Sequence, residues 1–301
     1  MSQVTLPEQA RYTFGGDEFL FVEIDEAMSL EANIRAVEIA QAIQQSDTDG
    51  ITELCPANAS LLIRFNPEVI HPKALQEIVE EIERQTKNTP PPTIRTRIID
   101  VPVWYGDPYT TAVMKRFREG FHQDPGATDL EYAARVNNCA DTEEFVERHQ
   151  SQPWLVSMVG FVAGLPFTYQ LVPREKQLEV PKYLSPRSGG TPELTLGHGG
   201  CFGATYSVEG AGGYQMLGLL AGPIFDSKQS LPDFADSMFF FRPGDIVKYR
   251  AIEEEEYRNL REQVAAGTFS YRTVPVTFEA EQALADIERY NRVLMEALNG
   301  A

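Results

Sequence analysis

Hydrophobic positions in the first part of the chain alternate between strand spacing and helix spacing. The segment "EFLFVEI" from Glu18 to Ile24 combines aromatic and β-branched residues behind the turn "GGD", which is typical of a strand. Ser29 then stands where a helix N-cap is expected, ahead of apolar residues three or four positions apart. These apolar residues are Leu30, Ile34, Val37 and Ile43. The pattern predicts a strand followed by an amphipathic helix.

The same alternation continues through residue 104. The segments "GITELC" and "SLLIRF" predict two strands around the turn "PANA", and Pro72 opens a second helix at the position where proline is best tolerated. After the breaker "TPPPT", the run "IRTRIIDVPVW" predicts a last, long strand. The order β-α-β-β-α-β indicates a small ferredoxin-like α/β domain over residues 1–104, within an α+β fold.

The pattern changes twice beyond this domain. Residues 105–150 contain three short helical patterns joined by Asp, Asn and Pro turns, and we interpret them as a helical connector. Residues 151–252 are short β-rich runs separated by glycine and proline, which favour a barrel or sandwich. Residues 253–301 predict a helix, an extended segment and a final helix.

Composition and charge exclude some classes of function. The chain has 26 Lys and Arg against 44 Asp and Glu, a net charge of −18, so we expect no nucleic-acid partner. No apolar run of eighteen residues and no export signal are found in the sequence, so we expect a cytoplasmic protein without membrane contact. The three cysteines, Cys55, Cys139 and Cys201, are widely spaced and predict free thiols.

Four segments, in this order, resemble those of one family. They are "GITELCPANASLLIRFNP", "DLEYAARVNNCADTEEFVERHQSQPWLVSMVGFVAGLPF", "LGHGGCFGATYSVEGAGGYQMLG" and "FRPGDIVKYRAI". The family is the carboxyltransferase C/D family, which contains the B component of 5-oxoprolinase, a kinase-inhibitor protein of sporulation and allophanate hydrolase subunit 1. The "EGAGGYQ" variant and the tail "EEEEYRNLREQVAAGTFSYR" are most similar to its urea carboxylase branch.

This resemblance implies more than the patterns do. It implies that the β-rich region 151–252 is a cyclophilin-like barrel, and that the chain is half of a heteromeric enzyme. The expected partner is an A/B-half carboxyltransferase or the C component of a 5-oxoprolinase-type enzyme, with a biotin carboxylase or biotin carrier as a further candidate. The implied reactions transfer a carboxyl group from carboxybiotin to a urea nitrogen, or open a lactam with ATP hydrolysis.

Both reactions develop negative charge on a carbonyl oxygen, so both require hydrogen-bond donors and a proton carrier. His198 is the candidate proton carrier, Arg187 the candidate clamp for an anion, and Glu209 a candidate partner for an amide nitrogen. The candidate substrate-binding residues are Gly199, Gly200, Tyr206, Gly212, Gly213, Tyr214 and Gln215. Glycine-rich turns suit this role because no Cβ blocks access to their main-chain amides.

Structural alternatives exist for each candidate. The glycines are equally typical of turns between barrel strands. His198 can instead be a buried core residue, and Arg187 can form a salt bridge in a surface loop. His149, at the predicted end of a helix, also suits a partner for the helix dipole. Cys201 lacks a base partner and is a weak candidate nucleophile.

Three residues depart from the family pattern. Cys201 stands at a polar glutamine position, Leu219 at an arginine position and Ala163 at a proline position. The departures at Cys201 and Leu219 suit a second hypothesis, a regulatory protein that inhibits a sensor histidine kinase. A third hypothesis, an isomerase, rests on fold analogy alone. The sequence has neither a phosphate-binding GxxxxGK[ST] loop nor a biotin-attachment "MKM", so ATP or biotin is expected to come from another chain.

Overall fold

The chain divides into two compact units. In the computed structural model, which describes residues 5–300, the first unit runs up to Ile94 and also includes Thr277–Ile287. The second unit comprises Arg95–Val276 and the residues from Glu288 onwards. Each unit has its own core of buried aliphatic and aromatic side chains.

The first unit begins with a four-stranded antiparallel sheet and two helices. Its elements are β1 (Arg11–Gly15), β2 (Phe19–Glu23), α1 (Leu30–Ser46), β3 (Ile51–Ala57), β4 (Ser60–Phe65) and α2 (Pro72–Thr86). The strands lie in the order β1-β2-β4-β3. Ser29 caps α1 by accepting a hydrogen bond from the Ala32 amide at 3.1 Å, as the sequence predicted, and Pro72 occupies the first turn of α2.

The ferredoxin-like arrangement of this unit is not confirmed. The predicted last strand exists as β5 (Thr93–Tyr105), but it pairs within the larger sheet of the second unit. The place beside β2 is taken instead by β1, with Arg11 opposite Glu23. The reason is burial, because Ile99, Val101 and Val103 of β5 are fully buried in the core of the second unit.

The remaining elements follow β5 along the chain. They are α3 (Pro108–Arg116), α4 (Asp129–Val136), α5 (Thr142–Ser151), β6 (Trp154–Val159), β7 (Pro166–Gln170), β8 (Arg187–Thr191), β9 (Thr195–Gly199), β10 (Phe202–Thr205), β11 (Gly210–Gly212), β12 (Gln215–Leu220), β13 (Ile246–Ala251), α6 (Glu254–Ala265), β14 (Thr273–Glu279), α7 (Ala280–Ala285) and α8 (Ile287–Asn299). Helices α3 to α5 confirm the short helices predicted between residues 105 and 150. Helices α6 and α8 confirm the two helices predicted in the tail.

Seven strands of the second unit form a closed β-barrel. Their order is β12-β9-β10-β7-β6-β13-β5, and the pairing of β12 with β5 closes the ring, while β14 also pairs with β5. A separate two-stranded sheet joins β8 and β11, with Arg187 opposite Gly212. The prediction of a barrel or sandwich is therefore resolved as a barrel, which leaves no free edge in its ring.

Several properties of the described chain bear on the sites it can hold. The three cysteines are free thiols, as predicted. Over residues 5–300, no group of three or more His, Cys, Asp and Glu side chains is arranged to hold a metal ion. Within the same range, no helix combines the length and hydropathy that a membrane span requires.

Closure of the barrel depends on the absence of a side chain at Gly218. A Cβ at this position would lie 2.4 Å from the Trp104 carbonyl oxygen and 2.8 Å from the Tyr105 Cα, both of which belong to the main chain of β5. We therefore expect Gly218→Ala to lower the free energy of unfolding by about 1–3 kcal/mol, as overpacking does elsewhere. Chemical denaturation measures this change.

The matched control is Gly189→Ala. Nothing lies within 4 Å of a Cβ at Gly189, which belongs to β8 of the same unit. This substitution should leave stability nearly unchanged. Equal stability of the two variants would show that the close contact between β5 and β12 tolerates a side chain at residue 218.

Candidate functional site

A pocket of about 510 Å³ lies among loops and strands of the second unit. Its lining residues come from three segments, residues 161–167, 182–186 and 204–214. The first segment lies within "GFVAGLPF" (residues 160–167), and the third is the central part of "LGHGGCFGATYSVEGAGGYQMLG" (residues 196–218). Two of the four resembling segments therefore meet at this pocket. Most of its walls are apolar or aromatic, with Lys182, Tyr183, Tyr206 and Tyr214 as the polar side chains.

The hairpin turn between β6 and β7 forms one wall. Gly160 donates a hydrogen bond to the Leu165 carbonyl at 3.0 Å, and Ser207 Oγ donates to the Ala163 carbonyl at 2.6 Å. Gly164 has a φ of +75°, and a Cβ there would lie 2.6 Å from a ring carbon of Phe239. Phe161 is held with a φ of +70° and is 70 % exposed. The turn thus presents a large apolar side chain at the pocket.

Two glycines make room for the pocket's tyrosines. A Cβ at Gly212 would lie 2.2 Å from the Tyr206 hydroxyl oxygen, and one at Gly199 would lie 2.4 Å from the Tyr214 ring. Both tyrosines are largely buried and line the pocket. These glycines therefore set the positions of aromatic rings, a role that the sequence reasoning did not foresee.

The turn at Gly200 lies outside the pocket lining. The Gly200 amide donates to the Val180 carbonyl at 2.7 Å, and the Val180 amide donates back to the Gly200 carbonyl at 2.9 Å. This amide is therefore already paired and is not a free donor for a ligand. The expected cradle of main-chain amides around position 200 is not formed there, and it is Gly212 and Gly213 that reach the pocket.

Arg187 is fully buried in β8 rather than exposed in a surface loop. Its Nε donates to Thr191 Oγ1 and its Nη2 donates to the Tyr214 carbonyl, both at 3.0 Å. The guanidinium carbon lies 4.6 Å from the ring centre of Tyr183. Its Nη1 has no hydrogen-bond partner in the part of the chain that the structure describes. Arg187 therefore contacts two residues of the pocket wall without lining the pocket itself.

Asp129, in the first turn of α4, holds the second wall in place. Its carboxylate accepts hydrogen bonds from the Tyr183 hydroxyl at 2.7 and 2.9 Å and from the Met216 amide at 2.7 Å, and it pairs with Arg118. Burial raises the pKa of Asp129, although its donors oppose this shift. This carboxylate links the helical connector, the pocket and β12, and sequence reasoning missed it because its partners are distant along the chain.

Gln215 is buried in a network behind the pocket rather than in its lining. His122 Nδ1 accepts from the Asp124 amide at 2.8 Å, which leaves the Nε2 hydrogen to be donated to Gln215 Oε1 at 2.8 Å. The Gln215 amide nitrogen donates to the Pro181 carbonyl at 2.8 Å. Both ends of the Gln215 side chain are thus used to order neighbouring loops, which favours a structural role.

His198 is also placed away from the pocket. Its ring lies 5.7 Å from that of His149 and 5.8 Å from that of Trp154, and its Nε2 contacts the Leu178 carbonyl at 3.2 Å. It is fully buried, and this burial lowers its pKa to about 4. A neutral imidazole in the protein core does not suit the proton carrier that we expected near neutral pH. His149 is likewise buried, with its pKa lowered by burial, so it is not a charged partner of the helix dipole.

The remaining candidates do not meet at the pocket. Glu209 is exposed in the bend between β10 and β11 and does not belong to the pocket lining. Burial raises the pKa of the Cys201 thiol to about 11, which makes it a poor nucleophile at neutral pH. Of the ten candidate residues, the structure brings four together in the pocket, namely Tyr206, Gly212, Gly213 and Tyr214.

The phenols around the pocket are kept protonated. Burial is the largest cause that raises the pKa of Tyr183, Tyr206 and Tyr214 above the ordinary value. For Tyr206, the positive charge of Arg187 acts in the opposite direction and lowers the pKa. The Tyr183 hydroxyl already donates to Asp129, so the neutral O–H groups that the pocket offers are those of Tyr206 and Tyr214, the first of them beside the buried charge of Arg187. Such an arrangement can donate hydrogen bonds to a carbonyl oxygen.

Comparison with known proteins assigns the chain to a family. Residues 10–235 match the family model described as carboxyltransferase domain, subdomain C and D. This chain belongs to the carboxyltransferase C and D family. The matched range includes each residue that lines the pocket, so the pocket is built from segments that the C and D family model covers.

Members of the C and D family with related sequences are components of enzymes. The chain is 24 % identical over 256 residues to the B component of 5-oxoprolinase from Bacillus subtilis, covering 82 % of this chain and 95 % of that component. It is also 24 % identical over 276 residues to urea amidolyase of Saccharomyces cerevisiae, covering 91 % of this chain but only 15 % of that protein.

The fold is shared with a larger solved protein. The urea carboxylase of Kluyveromyces lactis superimposes with a TM-score of 0.83 at 23 % identity, covering 99 % of this chain and 27 % of that one. At this identity the likeness concerns the fold of the C and D region. The chain thus corresponds to about a quarter of urea carboxylase and to nearly the whole B component of 5-oxoprolinase.

The burial of His198 makes stability depend on pH. The folded state keeps the imidazole neutral down to about pH 4, whereas the unfolded chain protonates it near pH 6.5. The contribution to stability is therefore complete above pH 6.5 and is lost as the pH falls towards 4. The free energy of unfolding of the wild type should fall between pH 7 and pH 5, and about 2 kcal/mol of this fall should be absent in His198→Gln. Urea denaturation at the two pH values measures the difference.

The control for this experiment is Gly189→Ala, which replaces no titratable group and should leave the pH dependence as it is in the wild type. A wild-type pH dependence in the His198 variant would contradict a neutral, buried His198.

Proposed function

We propose that this chain is one component of a heteromeric enzyme of the urea carboxylase, allophanate hydrolase or 5-oxoprolinase type. In this proposal the pocket binds the ring or amide of the reacting molecule, either a urea-like amide, a lactam, or the ring of carboxybiotin. The observation that supports it best is the pocket itself, which two of the family's motifs build together with buried donors. The relatives named urea amidolyase and 5-oxoprolinase agree with this class of enzyme.

The pocket's chemistry distinguishes the two expected cofactors. A triphosphate needs several cations or free main-chain amides, whereas Lys182 is the one cationic side chain among the lining residues of the described chain. ATP therefore does not fit here and belongs to a partner chain in our proposal. Biotin carried by a partner fits better, because Phe161, Phe167 and Tyr214 offer surfaces for a largely apolar ring. When bound, carboxybiotin supplies the carboxyl group.

The pocket is incomplete for either reaction. Among the described residues that line it, none is a carboxylate, a histidine or a cysteine, so it lacks a group that exchanges protons near neutral pH. The phenols are protonated donors. We infer that a second polypeptide contributes the proton carrier, as expected for an A/B-half carboxyltransferase or a C component of the 5-oxoprolinase type. The complex would act in the cytoplasm.

Two exposed apolar side chains suggest where this partner binds. Phe161 is 70 % exposed at the pocket, and Leu184 is 75 % exposed on the segment that also supplies Tyr183 and Pro186. Large apolar side chains exposed beside a pocket are typical of interfaces. In our proposal a partner covers both and closes the pocket from solvent.

Turnover by the purified complex tests the proposed function. The chain should be purified from its native host with its partner and assayed with urea and with 5-oxoproline, with and without ATP, bicarbonate and a biotin carrier. We expect ATP-dependent turnover of one of these substrates. Turnover that requires bicarbonate and biotin would indicate carboxyl transfer, and turnover without them would indicate ATP-dependent hydrolysis.

A pocket-filling variant links turnover to this chain. Ala211 is exposed at the pocket, so Ala211→Trp should reduce turnover at least about tenfold without unfolding the protein, since the new ring occupies the space of the ligand. Ala235→Trp, at an exposed position outside the pocket lining, is the matched control and should remain active. Absence of turnover, together with copurification of a histidine kinase, would instead support the regulatory alternative.

Substitution of Leu184 tests the proposed interface. Leu184→Arg should weaken binding of the copurified partner about tenfold, because a charge replaces an apolar side chain in the buried contact. Val69, which is 58 % exposed in the first unit, provides the control Val69→Arg. Analytical ultracentrifugation or surface plasmon resonance measures both affinities, and an unchanged affinity of the Leu184 variant would place the partner elsewhere.

A further inference from the structure

The hydroxyl of Tyr206 occupies a defined position between two strands. A Cβ at Gly212 would lie 2.2 Å from this oxygen, so the hydroxyl rests directly on the main chain of β11. The residue opposite Gly212 in β8 is Arg187. Tyr206 and Gly212 both line the pocket, whereas Arg187 lies behind them. The phenol is therefore located between the pocket and a buried guanidinium.

The positive charge of Arg187 is not neutralised by an ion pair of its own. No carboxylate forms a salt bridge with it within residues 5–300. The carboxylate of Asp129 acts on it only through space, because Asp129 is engaged by Arg118, Tyr183 and the Met216 amide. Two of the Arg187 nitrogens are bound to neutral oxygens, and Nη1 has no partner among the described residues. Burying a charge without an ion-pair partner costs free energy that the two hydrogen bonds to neutral oxygens offset only in part.

A guanidinium can only donate hydrogen bonds, which fixes the direction of any chain that starts from it. The Arg187 guanidinium acts on Tyr206, since it lowers the pKa of this phenol, and its Nη1 has no other partner among the described residues. If Nη1 donates to the oxygen of Tyr206, the phenol hydrogen is left to point away from Arg187. The phenol is also a stronger donor beside a positive charge. A ligand carbonyl oxygen in the pocket would then accept from Tyr206, and negative charge that develops on it would be stabilised by Arg187 at longer range.

We propose that Tyr206 is the hydrogen-bond donor for the carbonyl oxygen of a cyclic amide or cyclic urea bound in this pocket, and that Arg187 is the positioning residue that orients and polarises it. This inference rests on the proposed function only in taking the pocket as the ligand site. In this role the Tyr206 hydroxyl takes the place of the main-chain amide of Gly200, which is paired within the protein. This role also explains why residue 212 is glycine, since a side chain there would displace the hydroxyl.

A pair of matched ring compounds tests the proposal on the isolated full-length chain. The probes are 2-pyrrolidone, which carries a carbonyl, and 2-pyrrolidinethione, whose sulfur is a weaker acceptor in a ring of the same shape. Protein NMR titration gives the ratio of their affinities. We expect Tyr206→Phe to lower the preference for the oxo ring by roughly threefold to tenfold, the effect of one hydrogen bond, while the thio ring binds as before.

Variants of Arg187 separate positioning from packing. Arg187→Lys keeps the charge and should retain part of the preference, whereas Arg187→Met should reduce it to that of the Tyr206 variant. Far-UV circular dichroism verifies that each variant is folded. If Arg187→Met does not fold, the outcome is decided by Tyr206→Phe, which keeps the aromatic ring. The proposal is overturned if Tyr206→Phe leaves the ratio unchanged, or if neither ring binds the wild-type chain.

These outcomes are independent of the proposed function. The titration needs no partner, ATP or biotin, so the ratio can change even if the copurified complex fails to act on urea or 5-oxoproline. Conversely, an active complex with an unchanged ratio would retain the proposed function and refute the role of Tyr206.

Discussion

A single buried carboxylate connects one wall of the pocket to helix α4 and to strand β12. Asp129 begins α4, yet its oxygens accept hydrogen bonds from Tyr183 in the pocket wall and from the main chain of β12, and they pair with Arg118. Removing one partner of such a buried network leaves the others uncompensated, which typically costs several kcal/mol. Helix α4 therefore helps to fix the segment that carries Tyr183, together with the hydrogen bond from Gln215 of β12 to the Pro181 carbonyl.

The burial of Asp129 behind the pocket wall accounts for the chemical character of the pocket. Its apolar walls and protonated phenols can receive a ring and donate to a carbonyl oxygen, but they exchange no proton near neutral pH. Apart from Lys182, which lines the pocket, the charged groups named here lie behind the walls, where Arg187 and Asp129 are buried. These features support the proposal that the chain is the binding half of a heteromeric enzyme. Two exposed apolar side chains, Phe161 and Leu184, are consistent with a site that a partner completes.

The fold could be predicted from the sequence where local signals decide it. Ser29 and Pro72 mark helix starts because capping depends on neighbouring residues alone. The strand β5 was also predicted, but its membership in the barrel depends on pairing with β12 and β13, which are more than a hundred residues away. The ferredoxin-like arrangement is not confirmed for that reason.

The sequence predicted where the site lies along the chain, but it did not predict which residues form the pocket or what they do there. The glycine-rich stretch was the correct place to look, yet Gly200 is paired with Val180, and His198 is sealed in the core. The pairing of Gly200 and the burial of His198 both depend on residues from other parts of the chain, so no neighbouring residue predicts them. Tyr183 and Asp129 carried no local signal, because their role comes from a hydrogen bond across 54 residues.

A structure of the complex between this chain and its copurified partner, with substrate bound, would show whether this pocket is the ligand site. We expect the substrate ring to lie between Phe161 and Tyr214, with its carbonyl oxygen within hydrogen-bond distance of Tyr206 and the partner covering Leu184. A substrate bound elsewhere, with this pocket open to solvent in the active complex, would contradict this expectation.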